Sequence, residues 1–310
     1  MAEHAMYFAD DKARRIYLTK KIVSRVFTYL FLTIFALFML APFVMMVAGS
    51  FINYPSFHDF IDSGKFSELA FSNWSFLNYK EVFDSTKGYS FPTFFLNTFI
   101  VAIGSTTVTV VTAVLAGFAF ARLEFKGKEA LFAILLATMM IPGEMMVITN
   151  LVTVLSWHWT NTFAALILVH GVSVFYVFYL RQTFQQIPNE LYLAAKVDGV
   201  SDLGYLWKVM IPIAMPTITT IIILSMMGAW NSYVWPNLVA NGKWLNTTNH
   251  DMRLVSNGLR DAFSSNDTGE TNREAVKIAG SMVISLPLFI VFIAFRKYIM
   301  RGVSRSGIKG

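Results

Sequence analysis

The segment Ile187–Pro216 reads IPNELYLAAKVDGVSDLGYLWKVMIPIAMP, and the rest of the chain is best interpreted outward from it. Pro188 is suited to the start of a helix, and residues 190–197 are mostly good helix formers. Gly199 fits the left-handed position that ends a helix, and Ser201 can cap a following one. The sequence therefore predicts a short helix, a tight turn and a second helix.

The first of these helices has one mostly apolar face. Leu193, Ala194 and Val197 lie on the same side as Glu190, because residues three and four apart are neighbours on a helix. The small side chain of Ala194 permits close approach of another surface. An amphipathic helix lying at a membrane interface has the same pattern. The segment alone therefore leaves a docking helix and an interfacial helix open.

The flanking sequence is too apolar for a water-soluble domain. Of the 310 residues 55% are hydrophobic and only 14% are charged, whereas soluble domains carry roughly a quarter charged residues. About 20 apolar residues cross a bilayer core, and only one of the predicted spans contains a charged residue, Glu144. We predict an all-α integral membrane protein with six transmembrane helices, at residues 26–50, 91–121, 130–153, 162–180, 209–240 and 278–295.

The basic residues predict the orientation of these helices. Roughly two thirds of the 25 Lys and Arg residues fall on one side of the membrane, which the positive-inside rule makes cytoplasmic. Both termini are then cytoplasmic, and the first helix is an uncleaved span. The predicted parts are a segment 1–25, the helix 26–50, an outer loop 51–90, a five-helix core 91–295 with an outer loop 241–277, and a tail 296–310.

Several kinds of chemistry are excluded by residues that the chain lacks. It has no cysteine, so disulfides and thiolate nucleophiles are excluded. It has no Gly-x-x-x-x-Gly-Lys-[Ser/Thr] loop to hold nucleotide phosphates. No metal site is predicted, because the histidines lack carboxylates at useful spacing. The net charge of +6 is spread over short segments between apolar runs, which argues against nucleic-acid binding.

The spacing in the opening segment follows a known pattern. It comprises Leu193-Ala194-Ala195, three residues, Gly199, nine residues, Val209, one residue, then Ile211-Pro212. This resembles the cytoplasmic coupling loop, here 187–212, of permeases of binding-protein-dependent ABC importers, whose triplet is Glu-Ala-Ala. Asp198 before the glycine is usual in carbohydrate-type members. Leu193 replaces the family's Glu, so the ion pair of that Glu with the ATPase does not carry over; Glu190 is either its substitute or a solvated residue.

Further resemblance extends along the chain. Trp230, Asn231 and Pro236 lie in a stretch similar to one in sugar permeases, and Asn78-Tyr79 and Asn97-Thr98 also match. The tail, with Gly302 and the closing Ile308, Lys309 and Gly310, resembles that of the smaller permease in maltose-type transporters. The closest likeness runs from Asn78 onward, whereas residues 52–75 carry no recognised signature.

The resemblance implies a non-enzymatic subunit of a type I importer in the bacterial inner membrane. Its expected partners are a second permease, an ATPase dimer that carries ATP and Mg, and an extracytoplasmic substrate-binding protein. The second permease is either a larger, different chain, which the tail favours, or a second copy of this one. Glu190, Leu193, Ala194, Ala195, Asp198, Gly199 and Pro212 would form the coupling site, between the fourth and fifth helices. The residues Ile308, Lys309 and Gly310 would also reach the ATPase. A carbohydrate, in particular an oligosaccharide, is the implied cargo, and a non-sugar solute is the alternative.

Possible cargo contacts lie near the outer face and inside the membrane. Trp230, Asn231, Tyr233 and Trp235 combine aromatic faces with hydrogen-bonding groups, as sugar sites do, although an interfacial aromatic belt needs no cargo. Glu144 lies about 21 Å along its span at 1.5 Å per residue. An ionisable group at that depth is costly unless it faces a cavity or partner, so it is expected to point inward or to serve the Pro142-Gly143 break.

Two other classes explain less of the sequence. An ion-driven secondary transporter would usually show paired intramembrane charges or an internal repeat, and neither is present. A membrane enzyme would need a nucleophile or a metal cluster. Neither class accounts for the Ala-Ala, Gly and Pro spacing of the coupling loop.

Overall fold

The computed structural model describes residues 11–52, 60, 62–65, 67, 71–84, 90–241, 251–264 and 273–304. Within these residues the regular structure is helical, with one isolated bridge between Ile52 and Trp74. The main helices are α1 (Asp11–Phe51), α2 (Leu77–Val82), α3 (Phe91–Arg122), α4 (Lys128–Thr138), α5 (Gly143–Ser156), α6 (Phe163–Ile167), α7 (Val174–Gln185), α8 (Asn189–Val197), α9 (Asp202–Trp230), α10 (Val234–Val239), α11 (Val255–Ser264) and α12 (Arg273–Ser304).

Four helices are long and apolar enough to cross a membrane. They are Arg15–Phe51, Phe91–Arg122, Asp202–Trp230 and Glu274–Arg296. The pair α4 and α5 passes the same test together, which allows up to five spans among the described residues. The prediction of an all-helical, multi-span protein is confirmed, and the count of six stays a prediction.

The third predicted span, 130–153, is not one helix. It breaks between α4 and α5, which meet at an angle of 93°. The amides of Met139 and Met140 bond three residues back, to Leu136 and Ala137, so the last turn of α4 tightens. Pro142 follows with an extended ψ of 130°, and a proline has no N–H to continue the helix.

The fourth predicted span, 162–180, is also interrupted. Helix α6 ends at Ile167 and α7 begins at Val174. Ser173 caps α7 by accepting a bond from the amide of Tyr176 at 3.4 Å, which favours a new start over a continued helix. Gly171 lies between them, where a Cβ atom would be 2.7 Å from the side chain of Val108. This close approach to α3 therefore requires a glycine.

The first and fifth predicted spans differ from the structure in their ends. Helix α1 begins at Asp11 rather than near residue 26, because the basic segment before the apolar run is also helical. Helix α9 ends at Trp230 and is followed by α10, so the span predicted over 209–240 is broken near Asn231. Its N-terminal part includes a π-helical turn, Leu206–Met210, which ends two residues before Pro212.

The chain divides into two compact units. In the smaller, the described parts of 11–79 and Glu274–Met282, the side chain of Asn78 donates to the carbonyls of Ser50 at 3.0 Å and Ile52 at 2.8 Å. The ring of Phe51 stacks on Trp74 with centroids 5.0 Å apart. These contacts hold the end of α1 in place, so Asn78 of the Asn78-Tyr79 pair has a structural role.

In the larger unit, α3 is the central helix and packs against α7 and α9. Gly117 makes this packing close, since a Cβ atom there would lie 3.0 Å from the Cβ of Leu180. The core between these helices is made of buried apolar side chains, including Phe118, Leu180, Phe184, Leu206, Met210 and Ile218. This core supports the turn that connects α8 to α9.

Candidate functional site

The turn after α8 has the local structure that the sequence predicts. Gly199 is left-handed, with φ of +74°. Its amide donates to the carbonyl of Lys196 at 3.1 Å, and the amide of Val200 donates to the carbonyl of Ala195 at 2.9 Å. This pair of bonds is the Schellman motif. Ser201 caps α9 by accepting a bond from the amide of Gly204 at 3.2 Å.

The predicted coupling face of α8 is exposed. Val197 is 88% exposed and Leu193 is 56% exposed, and Glu190 and Ala194 lie open on the same side. Apolar side chains exposed in this way are covered by a partner chain or by the membrane interface. The four residues are brought together on one surface, as predicted from their spacing.

The opposite side of α8 is held by the chain itself. Ala195 and Tyr192 pack against the core, and the ring of Tyr192 lies 5.1 Å from that of Tyr205. The hydroxyl of Tyr192 and the ammonium group of Lys196 both donate to one carboxylate oxygen of Asp202, each at 2.7 Å. Ala195 therefore faces inward, unlike the other two residues of its triplet.

These contacts shift the protonation of the two donors. The hydrogen bond to Asp202 raises the pKa of Lys196 above its usual value. Burial, and then the bond to Asp202, raises the pKa of Tyr192. Both donors therefore keep their protons across the physiological pH range, and the contact with Asp202 persists there.

The remaining predicted coupling residues lie on either side of this contact. Asp198 is exposed at the C-cap of α8, with φ of −74°. Pro212 is the second residue of the α-helical part of α9, which begins at Ile211. It is exposed and follows the π-helical turn within α9.

Two arginines that sequence reasoning missed connect α3 to α7. Arg122, the last residue of α3, donates to the carbonyls of Phe184 and Ile187. Arg181, on α7, donates in the other direction to the carbonyl of Phe120 at 3.2 Å. Cations near helix C-termini are favourable because carbonyls there lack intrahelical partners. No local sequence signal identifies these bonds, which join residues about 60 positions apart.

At the C-terminal end of α9, Trp230 and Trp235 are buried. Their exposed fractions are 3% and 6%. The indole N–H of Trp230 donates to the carbonyl of Ile284 at 3.1 Å, and that of Trp235 donates to the carbonyl of Ala165 at 2.9 Å. An indole has one donor, so in this arrangement neither tryptophan offers a hydrogen bond to cargo.

The other predicted cargo residues are more accessible. Asn231 is exposed, and its side-chain amide donates to the carbonyl of Met227 at 2.9 Å. Tyr233 is half-buried and its hydroxyl accepts a bond from Arg260, whose guanidinium lies 5.4 Å from the ring centre. Glu144 is exposed in the first turn of α5. The structure therefore separates two more accessible residues of the aromatic stretch, Asn231 and Tyr233, from its two buried tryptophans.

Buried asparagines fix the segment before α11. Asn97 donates to the carbonyls of Asp251 at 2.6 Å and Arg253 at 3.0 Å. Asn257 accepts a bond from the amide of Leu254 at 2.8 Å and donates to the carbonyl of Pro236 at 3.2 Å. Asn97, of the Asn97-Thr98 pair noted in the sequence, thus has a structural role.

The described residues contain no group of three His, Asp or Glu side chains that could hold a metal ion. His170 packs its ring 5.2 Å from that of Trp235. The predicted ATPase contacts at Ile308, Lys309 and Gly310 lie outside the described residues.

Residues 109–305 match the model of a protein family described as binding-protein-dependent transport system inner membrane component. Among curated proteins, the arabinooligosaccharides transport system permease protein AraQ of Bacillus subtilis is 28% identical over 288 residues, which is 93% of this chain and 97% of that protein. The polygalacturonan/rhamnogalacturonan transport system permease protein YtcP of the same organism is 28% identical, over 91% of this chain and 96% of that protein.

The fold also matches a solved structure. It is similar to a chain in the crystal structure of a bacterial ABC transporter involved in the import of the acidic polysaccharide alginate, with a TM-score of 0.72 and 20% identity. The match covers 94% of this chain and 99% of that one. The likeness therefore extends over the whole fold rather than one helical hairpin.

Proposed function

The chain belongs to the family of inner-membrane components of binding-protein-dependent transport systems, and we propose that it carries an oligosaccharide through the membrane as one permease of an ABC importer. It is a transporter subunit and not an enzyme. The carbohydrate assignment is supported by the relatives named for arabinooligosaccharides and for polygalacturonan, which align over nearly the whole chain.

The observation that carries the proposal is the exposed face of α8. Its apolar residues Leu193 and Val197 stand open on a helix whose other side is fixed to the chain. We propose that this face docks on a separate ATPase, with Glu190 available for a cation there. Closure of the ATPase dimer would then move α8. The pathway would thereby change from one conformation, open to one side of the membrane, to another that is open to the opposite side.

The other subunits follow from this division of labour. Nucleotide and Mg would be held by the ATPase dimer, since this chain has no phosphate-binding loop. A second, larger permease would complete the pathway, and an extracytoplasmic binding protein would deliver the cargo. Six spans with cytoplasmic termini would place α8 between the fourth and fifth spans, on the ATPase side, and the tail residues Ile308 to Gly310 would add a second contact.

For the cargo, we propose that Asn231 and Tyr233 face the pathway and that Trp230 and Trp235 support them. The accessible pair offers an amide, a hydroxyl and an aromatic face, which are the groups that bind sugars. Glu144, exposed beside the bend between α4 and α5, would face water, cargo or the second permease. The carboxylate of Glu144 would otherwise be costly to place against lipid.

The docking proposal is tested with a single cysteine, because the natural chain has none. Val197→Cys is expected to react with a maleimide in the isolated chain and to be protected in the assembled transporter. Glu124→Cys, on the exposed connection between α3 and α4, is the matched control and should react in both. Equal labelling of Val197→Cys with and without a copurified ATPase would contradict the docking surface.

The same variants test orientation in intact cells. A membrane-impermeant maleimide added outside should leave Glu124→Cys unlabelled until the cells are opened, whereas Val197→Cys stays protected by the ATPase in either case. Labelling of Glu124→Cys from outside would reverse the proposed topology. Uptake of an oligosaccharide that requires ATP and a binding protein would test the transport assignment itself.

A further inference from the structure

Asp202 connects the exposed helix α8 to the long helix α9. One of its carboxylate oxygens accepts a bond from the hydroxyl of Tyr192 at 2.7 Å. The ammonium group of Lys196 lies at 2.7 Å from the same oxygen. Tyr192 and Lys196 are four residues apart on α8, whereas Asp202 is the first residue of α9. The three side chains form a clasp across the turn at Gly199.

The clasp is not needed to form the turn. The backbone bonds of Gly199 and Val200 and the cap at Ser201 already close it. What these local bonds leave free is the angle between the two helices, because a short turn can flex about its few dihedral angles. Two donors one helical turn apart, both bound to one oxygen, remove that freedom.

Packing adds to the polar contacts. The ring of Tyr192 lies 5.1 Å from that of Tyr205, which is 1% exposed, so one member of the clasp is held against the core. An exposed ion pair by itself contributes little, but a charge held by two donors, one of them fixed by packing, has a defined geometry. Asp202 also lies in the first turn of α9, where a negative charge is favourable.

Helix α9 runs for 29 residues from Asp202 to Trp230, which is about 43 Å at 1.5 Å per residue. A displacement of α8 reaches the outer end of this helix only if the joint between the helices is stiff. We propose that Tyr192, Lys196 and Asp202 are positioning residues that make α8 and α9 move as one lever. This inference rests on the proposed coupling function, which it deepens by naming the joint.

The test uses the complete transporter in lipid vesicles, with oligosaccharide uptake and ATP hydrolysis measured on the same sample. Asp202→Asn removes the charge, and Tyr192→Phe removes only the hydroxyl while the ring still packs. Both complexes should assemble and hydrolyse ATP. The cargo moved per ATP should fall about threefold or more for Asp202→Asn, and about twofold for Tyr192→Phe, since residues along a coupling route typically change coupling by such factors.

Matched controls separate the clasp from general effects. Glu124→Gln neutralises an exposed carboxylate for which the described structure provides no bond, and Tyr205→Phe removes a buried hydroxyl that has no hydrogen-bond partner in the described part of the chain. Both should leave the cargo moved per ATP unchanged. Exchanging the charges, with Lys196→Asp and Asp202→Lys in one chain, should restore part of the coupling that either single change loses.

The outcomes are distinguishable. An unchanged ratio of cargo to ATP in both Asp202→Asn and Tyr192→Phe would overturn the clasp as a lever joint. If Asp202→Asn fails to assemble, Tyr192→Phe decides the question, because it keeps the ring and the ion pair. If the natural chain neither binds an ATPase nor supports ATP-driven uptake, the proposed function fails, whatever the clasp does.

Discussion

The two ends of α9 differ in how they treat their apolar side chains. Before its N-terminal end, Val197 and Leu193 are exposed on α8, although the chain has a core nearby. At and just beyond its C-terminal end, Trp230 and Trp235 are buried and their N–H groups donate to carbonyls of this same chain. The aromatic stretch looks more like a binding site in sequence, but the more exposed large side chains are those of α8. Exposure therefore distinguishes the two ends better than residue type.

The largest effect expected near the N-terminal end of α9 is that of Gly199→Asp. A side chain at φ of +74° is strained, although less for aspartate than for most residues, and its charge would also stand at the proposed docking surface. We expect uptake to fall at least about tenfold while the protein remains inserted, as measured by cargo uptake at equal protein level.

Gly127→Asp is the matched control for backbone strain. Gly127 has φ of +83°, and like Gly199 it has open space where a Cβ atom would be. It lies on the connection between α3 and α4, outside the coupling loop. Uptake should stay near that of the natural chain. Equal losses in both variants would show that strain alone, and not the coupling surface, causes the defect.

A smaller effect is expected from Glu190, which tests whether it replaces the family glutamate that is missing at Leu193. Glu190→Gln should lower uptake by about threefold, as expected for one partly exposed ion pair with a cation on the ATPase. Adding Leu193→Glu to that variant should restore uptake, because both positions lie on one face of α8. Uptake and ATPase copurification are the measurements; full uptake in Glu190→Gln would make Glu190 a solvated residue.

Some of this contrast could be predicted from the sequence. Gly199 and Ser201 form bonds with residues at most four positions away, so the conformational preference of glycine and the capping preference of serine were enough to predict the turn between α8 and α9. The break at Pro142 also has a local signal, the proline itself, whereas the break near Gly171 was harder to predict, because an apolar run has the same composition whether or not its helix is interrupted. The carbonyls that bind Trp230 and Trp235 are 54 and 70 residues away. Only the folded chain brings such partners together, so the burial of these tryptophans could not be predicted locally.

At the C-terminal end of α9, Asn231→Ala tests the accessible part of the aromatic stretch. The side chain is exposed and its oxygen has no bond within the described residues, so it is free to bind a sugar hydroxyl. The loss of one such bond should raise the KM for uptake by about threefold, with little change at saturating cargo. Val234→Ala is the control, since Val234 is 60% exposed but cannot form a side-chain hydrogen bond. A similar KM in all three proteins would place Asn231 outside the pathway.

The smallest effect on transport is expected from Trp235→Phe, although Trp235 is the more conspicuous residue. Phenylalanine keeps most of the buried ring but leaves the carbonyl of Ala165 without its donor, so the cost should be about 1 kcal/mol of stability. The unfolding temperature of the purified protein should therefore fall by a few degrees while the KM for cargo is unchanged.

Trp157→Phe is the matched control, because Trp157 is 58% exposed and its indole donates no bond within the described structure. The unfolding temperature of this variant should equal that of the natural chain. A raised KM with normal stability in Trp235→Phe would mean that the indole turns toward cargo during transport, and the two ends of α9 would then both be binding surfaces.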